Sequence, residues 1–176
     1  MRATPLAVTA LAAALLLTAC SDDGGDGGES DPSQAASACT IDDVGIQVGP
    51  ANAAPAAGDT GNVPVTITNR GAECVLDGFP AIDLSAGGTS STVPVDKAAK
   101  ATKQTLAKDG TTSVTITYVR GEKGGESSLA VKTLKVSLPG GADTQEFPWT
   151  YGDVALKDTA SGTPDASVGP FERTGD

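Results

Sequence analysis

The stretch TITNRGAECVLDGFP, residues 66–80, is a strand-like run, a turn, a lone cysteine and a second turn. Its first half alternates β-branched apolar and polar residues, the spacing of a half-buried strand. Asn69-Arg70-Gly71 and Asp77-Gly78 are turn signals with a mechanism, since Asn and Gly tolerate positive φ. The same grammar extends in both directions. Val44, Ile46 and Val48 share one strand face, and Val63, Val65 and Ile67 another. Phe79 to Leu84, Thr92 to Val95, Val114-Ile116-Tyr118 and Leu134-Val136-Leu138 continue the pattern, with one or two more strands over 146–156. Further turn signals stand at Asp109-Gly110 and Pro139-Gly140-Gly141. Alternation broken every ten residues or so by Gly, Pro, Asn and Asp predicts an all-β antiparallel sandwich of about 7–9 short strands. Residues 95–110 carry helix-forming Ala, Lys and Gln, but a helix there has little except alanine to bury. They read as a loop with at most one helical turn, leading into a strand at Gln104 to Ala107. Val168 to Phe171 is the last expected strand.

Cys74 is one of three cysteines in 176 residues, and the odd count is explained at the N-terminus. Met1-Arg2 precedes an apolar run from Leu6 to Leu17, which ends in Leu17-Thr18-Ala19-Cys20. The run is short for a membrane span and reads as a signal peptide over residues 1–19. Small residues before a cysteine resemble the lipobox of bacterial lipoproteins, in which that sulfur receives a diacylglyceryl group. Cys20 is then the lipidation site, and the chain is expected outside the cell, anchored by lipid to the outer face of the cytoplasmic membrane. Two acyl chains anchor stably where one does not. Cys39 and Cys74 remain in an oxidising compartment, where two thiols pair. Residues 20–38 form the lipidated cysteine and a flexible linker; 21–38 hold five acids, no base and no large apolar side chain. The globular domain runs over 39–171, with a short tail at 172–176.

From here the residues become familiar. Thr68-Asn69-Arg70-Gly71, the Cys74-Val75-Leu76-Asp77-Gly78-Phe79-Pro80 segment, Leu106 to Gly110 and Leu134-Lys135-Val136 with Pro139 together resemble the DUF4232 family. These are actinobacterial secreted lipoproteins described only as a domain of unknown function. The resemblance covers roughly residues 39–171. It implies an immunoglobulin-like sandwich and supplies no catalytic residues. Many relatives carry a second cysteine pair in the C-terminal half, which this chain lacks.

Composition narrows the function classes. A net charge of −10 argues against nucleic acid. The absence of histidine removes the Ser-His-Asp and Cys-His constellations and the usual zinc and copper ligand sets. No cofactor and no metal site is expected, and the chain reads as a non-enzyme. A carboxylate-based envelope hydrolase is the remaining catalytic alternative, but one Trp, two Tyr and three Phe are few for lining a sugar cleft. Two segments are candidate contact surfaces. Phe147, Trp149 and Tyr151 alternate along one potential strand face; outward they form a platform, inward they are core. Lys97, Lys100, Lys103 and Lys108 make a basic loop suited to wall polymers or lipid head groups. The expected role is a lipid-anchored envelope domain binding a wall component or a partner protein. The alternative is a structural surface module without a discrete ligand.

Overall fold

A computed structural model describes residues 36–173. The signal peptide, Cys20, most of the acidic linker and the end of the tail lie outside the described residues. Within them no helix forms, and the chain is all-β. It begins with β1 (Ser37–Ala38), β2 (Val44–Val48), β3 (Thr60–Asn69), β4 (Cys74–Gly78) and β5 (Ala81–Ala86). β6 (Thr89–Thr92), β7 (Thr102–Leu106), β8 (Thr111–Val119), β9 (Ser128–Leu129) and β10 (Thr133–Ser137) follow. It ends with β11 (Gln145–Pro148), β12 (Val154–Asp158), β13 (Thr163–Pro164), β14 (Ala166–Val168) and β15 (Glu172–Arg173). The fifteen strands exceed the expected number because several are only two or three residues long.

Two ladders dominate. One has the order β14-β8-β3-β2, with β15 also on β8, and the other β11-β10-β5-β6. Two three-stranded sheets, β1-β4-β7 and β13-β12-β9, complete a β-sandwich. Alternation does the sorting: Val63, Val65 and Ile67 of β3, Val114, Ile116 and Tyr118 of β8, Ile82 and Leu84 of β5, and Leu134 and Val136 of β10 are all buried in one core cluster. Their threonine and serine neighbours point away. Fully burying such a side chain contributes about 1.5–3 kcal/mol, so an aliphatic core compensates for scarce aromatics.

Pro64 stands inside β3, between β2 and β8, where a proline normally removes a ladder bond. Here its carbonyl accepts from Gly49 N–H at 2.8 Å, so residue 64 faces the β2 side. β2 stops at Val48 and departs through a cis Gly49–Pro50 bond. The missing N–H falls where pairing with β2 is over.

Several expected boundaries move. β5 starts at Ala81, leaving Phe79-Pro80 as the link from β4. Pro80 is buried and Phe79 half-buried in this link. Residues 95–101 hold no helical turn: Asp96 Oδ1 accepts from Ala98 N–H at 2.8 Å and caps a simple turn. Ser37 and Ala38 already pair, in parallel, with Cys74 and Val75. At the other end, Glu172 and Arg173 pair with Ser113 and Thr112. That last strand is tied down by Gln104, whose Nε2 donates to Phe171 O at 2.7 Å while its Oε1 accepts from buried Thr112 Oγ1 at 2.9 Å.

Candidate functional site

The sandwich has two ends, and the functional candidates divide between them. At one end β3 finishes at Asn69. Cys39 and Cys74 are bonded there with Cα atoms 4.9 Å apart, and both are buried. Asn69 is fully buried and links three segments. Its Nδ2 donates to Ala72 O at 2.7 Å, Leu106 O at 2.9 Å and Ala107 O at 3.2 Å. Its Oδ1 accepts from Gly71 N–H at 3.0 Å. The turn signal was legible in the sequence. The burial was not, because Asn at a turn is ordinarily solvated.

The opposite end carries Tyr118, Trp149 and Tyr151. β11 ends at Pro148, and Trp149 N–H donates to Lys132 O at 2.9 Å, drawing the indole inward. Trp149 is 5% exposed, with Nε1–H donating to Gly152 O at 2.7 Å. Its ring meets Tyr118 edge-on at 5.1 Å and Tyr151 at 4.9 Å. Tyr118 Oη–H donates to Tyr151 O at 2.9 Å and accepts from Ala54 N–H at 3.3 Å. Phe147 and Tyr151 are half-buried against the same core. Of the two readings of this segment, the inward one describes Trp149, while Phe147 and Tyr151 stay half-buried against the core. Strand geometry stops at Pro148, and Gly152, at φ 90°, turns the chain back. Tyr118→Phe strands Ala54 N–H and Tyr151 O; it is expected to cost about 1–3 kcal/mol in denaturant melts. Trp149 emission should be blue-shifted and poorly quenched by acrylamide in the wild type.

The loops around this aromatic cluster enclose two adjoining open grooves of about 630 Å³ and 390 Å³ that share Ala57, Arg120, Gly121 and Glu122. Arg120 Nη1 donates to Ala54 O at 2.6 Å and Pro55 O at 3.1 Å, so the guanidinium clasps the loop after Ala51. Asp153 Oδ2 accepts from Gly124 N–H at 2.7 Å and holds the next loop. These loops lack apolar periodicity, which is why the sequence did not single them out.

The lysines do not converge at this end. Lys97 and Lys100 are exposed in the segment between β6 and β7. Lys103, on β7, stands opposite Asp77 in the ladder and lines a separate groove of about 410 Å³ with Ala38 and Pro139. Among the described residues, no group of three or more Cys, Asp and Glu side chains is arranged to hold a metal ion. Asp158 is held below the ordinary carboxylate range by Ser161 Oγ–H, then by the Ala160 N–H, in a surface turn. Lys135 is held above the usual ammonium range by its hydrogen bond and charge pairing with Glu146, 2.8 Å away. Both groups are on the open surface and are satisfied by their own neighbours.

A family model described as a domain of unknown function (DUF4232) matches residues 39–172. No curated protein matches the chain, and no solved structure matches it.

Proposed function

The chain belongs to the DUF4232 family, a domain of unknown function, and from that premise we propose that it is a non-catalytic, lipid-anchored domain of the cell envelope. Its ligand is a wall component or a partner protein. The observation that carries the reading is the Cys39–Cys74 bond. It accounts for two of the three cysteines and leaves Cys20, behind a signal-like apolar run, for the diacylglyceryl thioether.

The geometry supports a division of labour. The chain reaches the sandwich at Ser37–Ala38, beside Cys74 and the Asn69 end of β3. The two adjoining grooves lie at the Arg120 end, where Thr60 pairs with Val119. β3 spans ten residues between these ends, roughly 30 Å. The Arg120 loops therefore lie at the end of the domain opposite the point where the chain enters it. In immunoglobulin-type sandwiches, too, binding loops cluster at one end of a rigid scaffold.

The anchor is tested by fractionation and intact mass. Wild-type chain should partition into detergent with acyl groups on Cys20, and Cys20→Ala should move it to the medium or stop processing. Unchanged partition would overturn the anchor. Ligand engagement is tested by retention on purified wall polymer. If the basic loop serves, Lys100→Glu and added salt should each lower retention several-fold. Salt-insensitive retention abolished by Glu126→Lys would assign binding to the Arg120 loops instead.

A further inference from the structure

Among the described residues, several sheet edges are covered or blunted. β14 is covered by residues 94–96: Val168 N–H donates to Pro94 O at 3.0 Å, and Asp96 N–H to Val168 O at 2.9 Å. β13 packs beside β6. β11 ends in Pro148 and carries Glu146 in an ion pair with Lys135. These are standard protections of an edge. β2, Val44-Gly45-Ile46-Gln47-Val48, has none of them. It contains no proline and no charge, shows no register shift, and pairs only with β3 among the described residues.

Which groups face outward follows from its bonds. Arg70 N–H donates to Asp43 O, and Gly49 N–H to Pro64 O. Odd-numbered residues of this strand therefore face β3, and Val44, Ile46 and Val48 turn their backbone groups away from it. Ile46 and Val48 are also only half-buried.

We propose that the β2 edge is a self-association surface, on which a second copy of this chain pairs antiparallel about a two-fold axis at Ile46. The strand is symmetric in character about that residue. The axis sets Ile46 against Ile46, Val44 against Val48 and Gly45 against Gln47. Outward-facing Ile46 residues exchange both backbone bonds, and Val48 N–H reaches Val44 O of the other copy, for roughly four new bonds. The half-buried valines and isoleucines of the two cores then cover one another. Electrostatics agree with this register. The Arg70 guanidinium lies directly over Gly45, on a space any side chain would fill, so it meets the amide of Gln47 from the second copy. Asp42 and Asp43 come opposite Pro50 and Gly49, away from other acids. The acidic, Gly-rich leash over residues 21–35 offers no alternating apolar strand for this edge. Such a pairing is isologous and closes on itself, giving a dimer rather than a filament.

Sedimentation velocity of the purified full chain over a concentration series tests the proposal. A reversible monomer–dimer equilibrium is expected. Ile46→Pro removes an outward N–H together with the half-buried isoleucine side chain and should raise the dimer dissociation constant roughly 30-fold. Gln47→Lys alters an exposed side chain, sets like charges together, and should weaken the dimer several-fold, less so at high salt. A chain monomeric at every concentration would overturn the proposal. So would a dimer indifferent to Gln47→Lys and, where that variant folds, to Ile46→Pro.

Discussion

Asn69→Ala is expected to lower stability by about 3–4 kcal/mol, a shift of roughly 10 °C in Tm. The side chain donates to three carbonyls and accepts one N–H while having no exposed surface. Alanine removes the amide from the Ala72 and Leu106 carbonyls in a site with little room for water. It also breaks the bonds to Ala107 O and Gly71 N–H, which keep Gly110 N–H and Asp43 O as backbone partners. Net loss per ordinary hydrogen bond is near 1 kcal/mol, and stranded buried groups cost more. Asn69→Asp distinguishes polar satisfaction from packing, because it preserves shape and exchanges the amide donors for a carboxylate facing carbonyl oxygens. At neutral pH it should be at least as destabilising as alanine. Urea melts followed by Trp149 fluorescence report both variants from the far end of the sandwich. A loss below about 1 kcal/mol for either would show that this corner does not depend on the amide.

The joint replacement of Cys39 and Cys74 by serine should cost roughly 3–4 kcal/mol in the chain-entropy account, given the separation of 35 residues. The structure adds a local consequence. β1 is held by two residue pairs and by Cys39 N–H donating to Val75 O at 3.0 Å. With the bond gone, amide exchange at Ser37 to Cys39 should rise towards the unstructured rate, while β3 and β8 remain protected. Both cysteines are buried, so small thiols should reduce the native bond only through opening of this end. Exchange that accelerates evenly through the domain would mean the bond stabilises the whole fold without separately tethering β1.

How far the fold was legible depends on the kind of residue. Val63, Val65, Ile67, Val114 and Ile116 reveal their burial through spacing, because a strand puts alternate residues on one side whatever its partners. Pro64 sits in the same run and argues against an internal strand. It is tolerated because of where β2 ends, which no local pattern carries. Trp149 shows the reverse failure. Its i, i+2 spacing from Phe147 fits an outward platform as well as a core, and the decision came from the end of β11 and the bond to Lys132. The grooves beside Arg120 left no periodic trace at all, since loops are shaped by which carbonyls a distant guanidinium can reach.

Read alone, the 176 residues settle what depends on neighbours in sequence: an all-β chain, alternating faces, turn positions and an odd cysteine. The pairing of Cys39 with Cys74 was reached by elimination and is realised in the structure. Tertiary structure alone decided which polar groups lost their water, Asn69, Gln104 and Thr112 among them, and which strand edge stayed open. The physical reason is the range of the forces. Backbone sterics and side-chain period act over a few residues and are written locally. Desolvation and hydrogen-bond satisfaction depend on segments brought together from far apart in the chain, as Gln104 and Phe171 are across 67 residues.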